Sequence, residues 1–519
     1  MADTAASTVR EIEHKYEAAD GQRLPDLRKA AGVERVEESG PFALDAVYYD
    51  TADRRLAADG ITLRRRTGGD DAGWHLKLPV APGVRDEIRA PLSATPPRRL
   101  TALVRSRTRG AALLPQVRIG SDRAVRRLLD AGGALLAEVS VDAVTAERLT
   151  GERLTDEEGR AAWTEVEVEL GPGPGGEQDP AVLKTVGKRL RKAGLVRARS
   201  ASKLARALEE TGAGSPAAAP VRHTAPQGTA GAAVLAYVTT QVDALVRLDP
   251  AVRRDLPDSV HQMRVATRRL RSAFTSYAKV LDRAVTDPIG AELKWLAAEL
   301  GVDRDREVLA ARIRAAVEAL PRPLAVGPVR GRIRTWSAAR RAGSRQRLLA
   351  VLDGRRYLAL LADLDALLAE PPLRKAAARP ADGVLTAAIR ADFRRVAQLI
   401  EAALAEEPGE ARSLAMHEAR KRAKRTRYAA ELARPVLGTP AKRTAKDMTR
   451  LQELLGDHQD STVTREALRD LAAQAAAAGE SAFTYGLLYG REEALAADRE
   501  RELPRVWAQV SSGDVVAGE

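Results

Sequence analysis

The sequence predicts an α+β protein of several domains, in which an N-terminal antiparallel β-barrel precedes an all-α domain of two pseudo-symmetric helical halves. Short segments of alternating residues, with charges on one parity, fill residues 1–210 and are typical of strands around a polar interior. Residues 211–231 are rich in Ala, Pro and Gly without periodicity, which predicts a linker. Long helical segments follow and repeat one basic pattern, so we expect a helical domain at 232–512 with halves near 232–370 and 384–512.

Basic residues are concentrated in the C-terminal part of the chain. The 519 residues carry 84 Lys and Arg against 71 Asp and Glu, a net charge of +13. Residues 1–210 hold 35 basic and 33 acidic side chains, whereas the rest of the chain holds 49 and 38. Attraction of a polyanion is therefore expected in the C-terminal domain. The absence of cysteine and of any apolar run that could cross a membrane predicts a cytoplasmic protein.

The first predicted strand is EIEHKYE, where Glu11, Glu13 and Lys15 fall on one face because side chains alternate along a strand. Later segments repeat this arrangement. The residues that share a face within each segment are Arg64 and Arg66; His75 and Lys77; Arg85, Glu87 and Arg89; Glu138 and Asp142; and Glu165, Glu167 and Glu169. Rows of carboxylates and cations are not buried in a water-free interior unless they are paired. We therefore expect a wet barrel interior that holds ions.

These segments resemble the CYTH fold of triphosphate tunnel metalloenzymes. The Glu-x-Glu-x-Lys signature is present as Glu11, Glu13 and Lys15, and the tyrosine-aspartate-threonine turn as Tyr49, Asp50 and Thr51. The Arg-x-Arg, Leu-Lys-Leu-Pro and Glu-x-Glu-x-Glu segments follow in the family's order, over residues 8 to about 208. The resemblance implies metal-assisted attack of water on tripolyphosphate or on a nucleoside or thiamine triphosphate.

The resemblance also assigns roles to individual residues. Catalysis would involve Glu11, Glu13 and Lys15. Mg²⁺ or Mn²⁺ would be held by Glu11, Glu13, Glu165 and Glu167. The triphosphate would be bound by Arg64, Arg66, Lys77, Arg85, Arg118 and Lys203. Gly120 and Asp122 stand where related proteins often carry arginines, so a barrel that binds without turnover is the alternative, and a cyclase is a further one.

In the C-terminal domain, one spacing of a histidine and three cations occurs twice. His261, Arg264, Arg268 and Arg271 lie at offsets 0, 3, 7 and 10, and His417, Arg420, Lys424 and Arg427 repeat those offsets. Such offsets form one stripe about 15 Å long on a helix. Each stripe is followed by Leu-Gly-x-x-x-Asp-x-x-Val, with Leu300, Gly301, Asp305 and Val308 in one copy and Leu455, Gly456, Asp460 and Val463 in the other. A solvated face does not explain a second motif in register, so we interpret the domain as an internal repeat.

This repeat resembles the CHAD domain, the conserved-histidine α-helical domain. The resemblance covers about 280 residues and implies a basic groove that binds inorganic polyphosphate through the eight stripe residues. For His261 and His417 a structural role is an equally good interpretation. Association with polyphosphate granules is a further expectation from the resemblance.

Nucleic acid is the rival partner, since it also offers phosphates to a basic surface. Aromatic residues make up only 3% of the chain, and neither stripe alternates aromatic with basic side chains. Because the stacking of bases on aromatic rings contributes much of the free energy of single-strand binding, we expect nucleic acid not to be the partner. The remaining alternative is a non-catalytic protein that only binds and localises polyphosphate.

Overall fold

The computed structural model describes residues 8–19, 21–149, 159–212, 222–301, 304–338 and 341–512. The chain forms two compact units, Met1–Pro220 and Val221–Glu519. The first is a β-barrel and the second is helical, which confirms the predicted fold class.

The barrel is closed by eight antiparallel strands. These strands are β1 (Thr8–Ala18), β2 (Arg35–Asp50), β3 (Thr62–Thr67), β4 (Gly73–Ala81), β5 (Val84–Ala90), β6 (Leu114–Leu129), β7 (Leu135–Arg148) and β8 (Arg160–Leu170), and a short ninth strand, β9 (Val196–Arg197), pairs with β1. Their order is β5-β4-β3-β2-β6-β7-β8-β1-β9, and pairing of β1 with β5 closes the sheet. Because alternate residues face inward and outward, closure places one parity of each strand in the lumen.

Three helices pack on the outside of this barrel, namely α1 (Arg55–Ala58), α2 (Arg98–Thr108) and α3 (Pro180–Lys192). Leu100 and Val104 of α2 pack against Trp74 and Leu76, whereas α3 covers β1, β7 and β8. The Asp50 carboxylate accepts hydrogen bonds from the backbone N–H groups of residues 51, 56 and 57, so it fixes the turn into α1.

A fourth helix, α4 (Lys203–Glu210), fills one end of the lumen. Its apolar residues Leu204 and Leu208 pack against Val144 and Trp163, which have the inward parity of their strands. Ser202 caps the helix by accepting a hydrogen bond from the N–H of Ala205. This docking carries the Lys203 side chain into the barrel.

The helical unit contains α5 (Ala230–Arg253), α6 (Ser259–Ser276), α7 (Arg283–Glu299), α8 (Arg304–Glu318), α9 (Val329–Ala338), α10 (Arg341–Asp353), α11 (Arg355–Ala369), α12 (Ala381–Ala405), α13 (Glu410–Leu437), α14 (Thr439–Ala477) and α15 (Phe483–Ser511). Among the described residues, no helix is both long and apolar enough to cross a membrane. The two predicted halves share their cores: α8 and α9 pack with α14 and α15, and Arg312 of α8 pairs with Glu492 of α15 at 2.7 Å.

The two basic stripes lie on α6 and α13, which pack against each other. The Tyr277 hydroxyl donates to the carbonyl oxygen of Ala429, and Arg269 pairs with Glu431 at 2.9 Å. Leu300 and Gly301 directly follow α7, whereas Leu455 and Gly456 lie within α14. The side chain of Asp305 is outside the described residues.

Candidate functional site

The barrel lumen encloses a cavity of about 840 Å³ with a wall of charged side chains. The cations that line it are Arg10, Lys15, Arg64, Arg66, Lys77, Arg85, Arg89, Arg123 and Lys203, and the acids are Glu11, Glu13, Asp71, Glu87, Glu138, Glu167 and Glu169. Burial, then the neighbouring Arg64 and Arg123 guanidinium groups, lower the pKa of Arg66 to about 9. Positive charge is therefore crowded here, which favours an anionic ligand.

The carboxylates of β1 are paired with the predicted phosphate-binding cations. Glu11 Oε2 lies 2.6 Å from Nζ of Lys77, and Glu13 Oε1 lies 3.3 Å from Lys15 and 3.8 Å from Arg85. Burial would raise the pKa of Glu13, but Lys15 holds it below its usual range. Lys15 also contacts Glu167 on β8, so β1 and β8 contribute to one charged wall.

A second acidic group surrounds Lys203. Its Nζ lies 2.9 Å from Asp142, 2.8 Å from Glu165 and 2.7 Å from Glu167. Arg123 also holds Asp142 through two hydrogen bonds of 2.7 and 2.8 Å. Although burial disfavours its charge, Asp142 and Glu167 raise the pKa of Lys203. The ammonium group therefore occupies the position between three carboxylates that are close enough together to ligate a metal ion.

The structure does not bring all four predicted metal ligands into one site. Glu165 pairs with Glu17 across β1, six residues from Glu11, which is roughly 20 Å along a strand. Carboxylates that far apart do not ligate the same ion, because metal–oxygen distances are about 2.0–2.6 Å. Of the four predicted ligands, Glu11, Glu13 and Glu167 line the cavity, and Glu165 instead binds Lys203 and the indole N–H of Trp163.

Glu169 belongs to the acidic wall but was not assigned to the metal. It lies directly opposite Glu13 and lines the cavity. Burial and the adjacent Glu11 carboxylate raise the pKa of Glu169 to about 7, with Lys77 acting in the opposite direction. Glu169 thus lies among carboxylates whose mutual repulsion a divalent cation would offset. Glu11, Glu13 and Glu169 offer the carboxylate oxygens that a hard ion such as Mg²⁺ or Mn²⁺ prefers, whereas Asp142, Glu165 and Glu167 are the carboxylates whose oxygens already lie within 4.8 Å of one another.

The assignment of Arg118 to the phosphate site is wrong. Its side chain is 55% exposed, lies outside the lumen and pairs with Asp45 at 2.7 Å. Arg118 and the lumen residue Arg123 are five positions apart on β6, and an odd separation puts them on opposite faces. Gly120 and Asp122 share the outward parity of Arg118, so neither removes a cation from the cavity.

All eight residues of the two stripes, four on α6 and four on α13, are partly buried. The Arg264 guanidinium lies against Gly301, and that of Arg420 lies against Gly456. In both halves the stripe therefore packs on the glycine of the Leu-Gly motif. These contacts join the two motifs of each repeat into one site.

The cations of the two stripes are also close enough to interact with one another. Burial, then Arg420, Arg268 and Arg427, lower the pKa of Lys424 to about 8. Since Arg268 belongs to α6 and Lys424 to α13, and these helices pack against each other, the two stripes lie side by side on a shared surface, hereafter the groove. The Nε atoms of Arg268 and Arg420 and Nδ1 of His417 are buried without a hydrogen-bond partner among the described residues. An anion with many oxygens would satisfy such donors.

Two carboxylates lie at the borders of this groove. Asp460 Oδ1 is 3.9 Å from Nη2 of Arg420, and Glu431 Oε1 is 3.4 Å from Nε of Arg427. Glu431 also binds Arg269, and both arginines stack on the Tyr428 ring. His458 is buried and pairs with Glu500 at 3.0 Å, so it belongs to the helix packing rather than to the groove.

Comparison with known proteins identifies both domains. A CYTH domain model matches residues 9–208, and a CHAD domain model matches residues 236–469. The "Uncharacterized protein MT2285" of Mycobacterium tuberculosis (strain CDC 1551 / Oshkosh) is 41% identical over 502 residues, covering 95% of this chain and 94% of its own. Among solved structures, PptA from Streptomyces chartreusis is 20% identical and covers 54% of this chain and 99% of its own, with a TM-score of 0.45. The CHAD domain from the plant Ricinus communis is 24% identical and covers 57% of this chain and 96% of its own, also with a TM-score of 0.45.

Proposed function

The chain belongs to the family of this mycobacterial relative and joins a CYTH domain to a CHAD domain, and from this premise we propose that its barrel hydrolyses a triphosphate with Mg²⁺ or Mn²⁺ while its helical domain binds inorganic polyphosphate. CYTH domains are metal-dependent and bind triphosphates, and the CHAD domain is a polyphosphate-binding domain. The observation that carries the enzymatic part is the cavity in which a carboxylate wall faces a cation array.

Each wall of the cavity has its own part in the proposed reaction. Arg64, Arg66, Lys77 and Arg85 would bind the phosphate oxygens and offset the charge that develops on them. Lys15, held between Glu13 and Glu167, would contact the phosphoryl group nearest to β1. A metal ion at Glu11, Glu13 and Glu169 would supply an activated water and neutralise phosphate charge.

Phosphate release from tripolyphosphate, ATP and thiamine triphosphate with either metal tests the hydrolytic function. We expect release with at least one substrate, and its loss in Glu13→Ala. Arg118→Ala is the matched control, because this arginine lies outside the lumen. No release with either metal, together with intact polyphosphate binding, would support the non-catalytic alternative.

The helical function requires a separate measurement, namely titration of labelled long-chain polyphosphate in EDTA. Combined Arg268→Ala and Lys424→Ala substitutions should abolish binding, because they remove facing cations of the two stripes. Lys421→Ala is the control, since Lys421 is exposed and pairs with Glu418. Equal or better binding of single-stranded DNA of the same charge would favour the nucleic-acid alternative.

A further inference from the structure

His75 lies beneath the cation array of the lumen rather than within it. Its side chain is 1% exposed and does not line the cavity, whereas Arg64, Lys77 and Glu87 do. The strand registers place His75 between Arg64 on β3 and Arg89 on β5, with the lumen parity of all three strands. The imidazole is therefore buried next to the phosphate-binding residues without lining the cavity.

Both ring nitrogens of His75 face oxygen atoms. Nδ1 lies 2.8 Å from Oε1 of Glu87, and Nε2 lies 2.9 Å from the backbone carbonyl oxygen of Asp71. A neutral imidazole carries one N–H, which satisfies only one of these acceptors. Burial, and after it the positive charge of Arg64 and Arg66, lowers the pKa of His75 to about 4, although the Glu87 hydrogen bond acts in the opposite direction. The ring is therefore neutral near pH 7, and Nδ1 donates its one N–H to Glu87, the charged acceptor of the two.

Glu87 links this proton to the cations of the cavity. Its Oε1 is 3.6 Å from Nζ of Lys77 and 3.8 Å from Nη2 of Arg64, and its Oε2 accepts from Nε of Arg89. Burial alone would raise the pKa of Glu87, but the His75 hydrogen bond and Lys77 hold it well below its usual range. With Glu87 ionised, its carboxylate accepts the N–H of the neutral His75 ring, and this hydrogen bond fixes the orientation of the carboxylate.

We propose that His75 is a positioning residue for triphosphate binding, which fixes the Glu87 carboxylate so that Glu87 holds its three cations in one array. This inference rests on the proposed triphosphate site in the lumen. Without the His75 N–H, the Glu87 carboxylate turns toward one cation and withdraws that cation from the phosphates. Substitution of His75 should therefore raise KM for the triphosphate far more than it lowers kcat.

A double-mutant cycle in the full chain tests this role, with tripolyphosphate affinity measured by calorimetry in EDTA. His75→Phe should weaken binding about tenfold, as loss of a hydrogen bond to a charged group does. In the Glu87→Gln background the same substitution should change affinity little, because His75 acts through Glu87. His14→Phe, on the outward face of β1, is the control and should leave affinity unchanged. Additive effects of His75→Phe and Glu87→Gln would overturn the proposal.

A spectroscopic measurement distinguishes a positioning role of His75 from a purely structural one. The chain has six histidines, so ¹⁵N-histidine labelling resolves the His75 ring. At pH 7.5 we expect a neutral ring with its proton on Nδ1 in the native protein, and a shift of that proton toward Nε2 in Glu87→Gln, where the Asp71 carbonyl oxygen competes for it. His75→Asn, which keeps an N–H near the Nδ1 position, should restore most of the affinity; a native ring protonated on Nε2 alone, or no rescue by Asn, refutes the role. If the native protein does not bind tripolyphosphate, the proposed function fails, while the ring spectrum still decides the His75–Glu87 pairing.

Discussion

The Arg264 guanidinium lies so close to the backbone of Gly301 that a Cβ at residue 301 would be 2.8 Å from its Nη2 atom. Arg420 has the same relationship with Gly456, where the corresponding distance is 3.3 Å. Each glycine therefore provides the space in which a stripe arginine lies flat beside the groove. This explains why a Leu-Gly motif accompanies each basic stripe.

Replacing Gly301 with alanine should move the Arg264 guanidinium without unfolding the domain, because the contacted atoms are at the end of a flexible side chain. We expect polyphosphate to bind about five- to tenfold more weakly, which corresponds to about 1 kcal/mol. Titration of labelled polyphosphate measures this effect. Gly290→Ala is the control: nothing lies within 4 Å of its Cβ, so it should leave binding intact and raise Tm. Equal binding by both variants would contradict the packing argument.

Polyphosphate binding should weaken as the pH rises above about 8. The pKa of Lys424 is lowered to about 8 by burial first and then by Arg420, Arg268 and Arg427. A bound polyanion raises this pKa, so affinity is constant below pH 8 and falls above it, by up to about tenfold per pH unit for one proton. Binding titrations from pH 6.5 to 9.5 measure the slope. Lys424→Arg should remove it, and an unchanged slope in this variant would assign the effect to another group.

Glu431→Gln should strengthen polyphosphate binding. The Glu431 carboxylate contacts Arg269 and Arg427, and so competes with phosphate for both. Its neutralisation should raise the affinity about threefold, consistent with a half-buried pair worth less than 1 kcal/mol. Glu418→Gln removes a carboxylate that pairs with the exposed Lys421 and should have a smaller effect. Weaker binding by Glu431→Gln would mean that Glu431 organises the groove instead of competing for it.

Arg123→Ala and Arg118→Ala should differ sharply although both residues are on β6. Arg123 holds the fully buried Asp142, and removal of one partner of a buried pair costs about 3–5 kcal/mol. Arg118 and Asp45 are both exposed, and such pairs contribute about 0–1 kcal/mol. Thermal unfolding and phosphate release measure both effects. Similar values of Tm for the two variants would contradict the assigned faces of β6.

Glu169→Gln should stabilise the metal-free barrel while abolishing its stabilisation by metal. The Glu169 carboxyl is close to Glu11, Glu13 and Glu167, and these carboxylates repel one another without a cation. At pH 8 in EDTA, Tm should therefore rise. Addition of Mn²⁺ or Mg²⁺ should raise Tm for the native protein but scarcely for the variant. An equal metal-induced rise in both would exclude Glu169 as a ligand.

Local spacing was sufficient to predict which residues share one strand or one helix. Glu11, Glu13 and Lys15 face the lumen together, as do Arg64 and Arg66, and the family resemblance is confirmed. Arg118 was misplaced although its odd separation from Arg123 already excluded a common face. That signal was present in the sequence.

Relationships between strands and between helices could not be read from spacing. The positions of Glu165 and Glu169 depend on the register of β8 against β1, which the whole closed barrel sets. Likewise, only the packing of α6 against the segment after α7 shows that Arg264 occupies the space left by Gly301. His75 gave no sequence signal for its role, because its two acceptors come from β5 and from the turn before β4.

The position of α4 has a consequence for the proposed hydrolysis. Because Leu204 and Leu208 fill one end of the barrel, a substrate would enter, and a product would leave, at the opposite end. A linear polyphosphate would then have to enter by its terminus and could not be cut in the middle of the chain. Under the proposed function, the concentration of chain ends would therefore set the rate, rather than the total amount of phosphate.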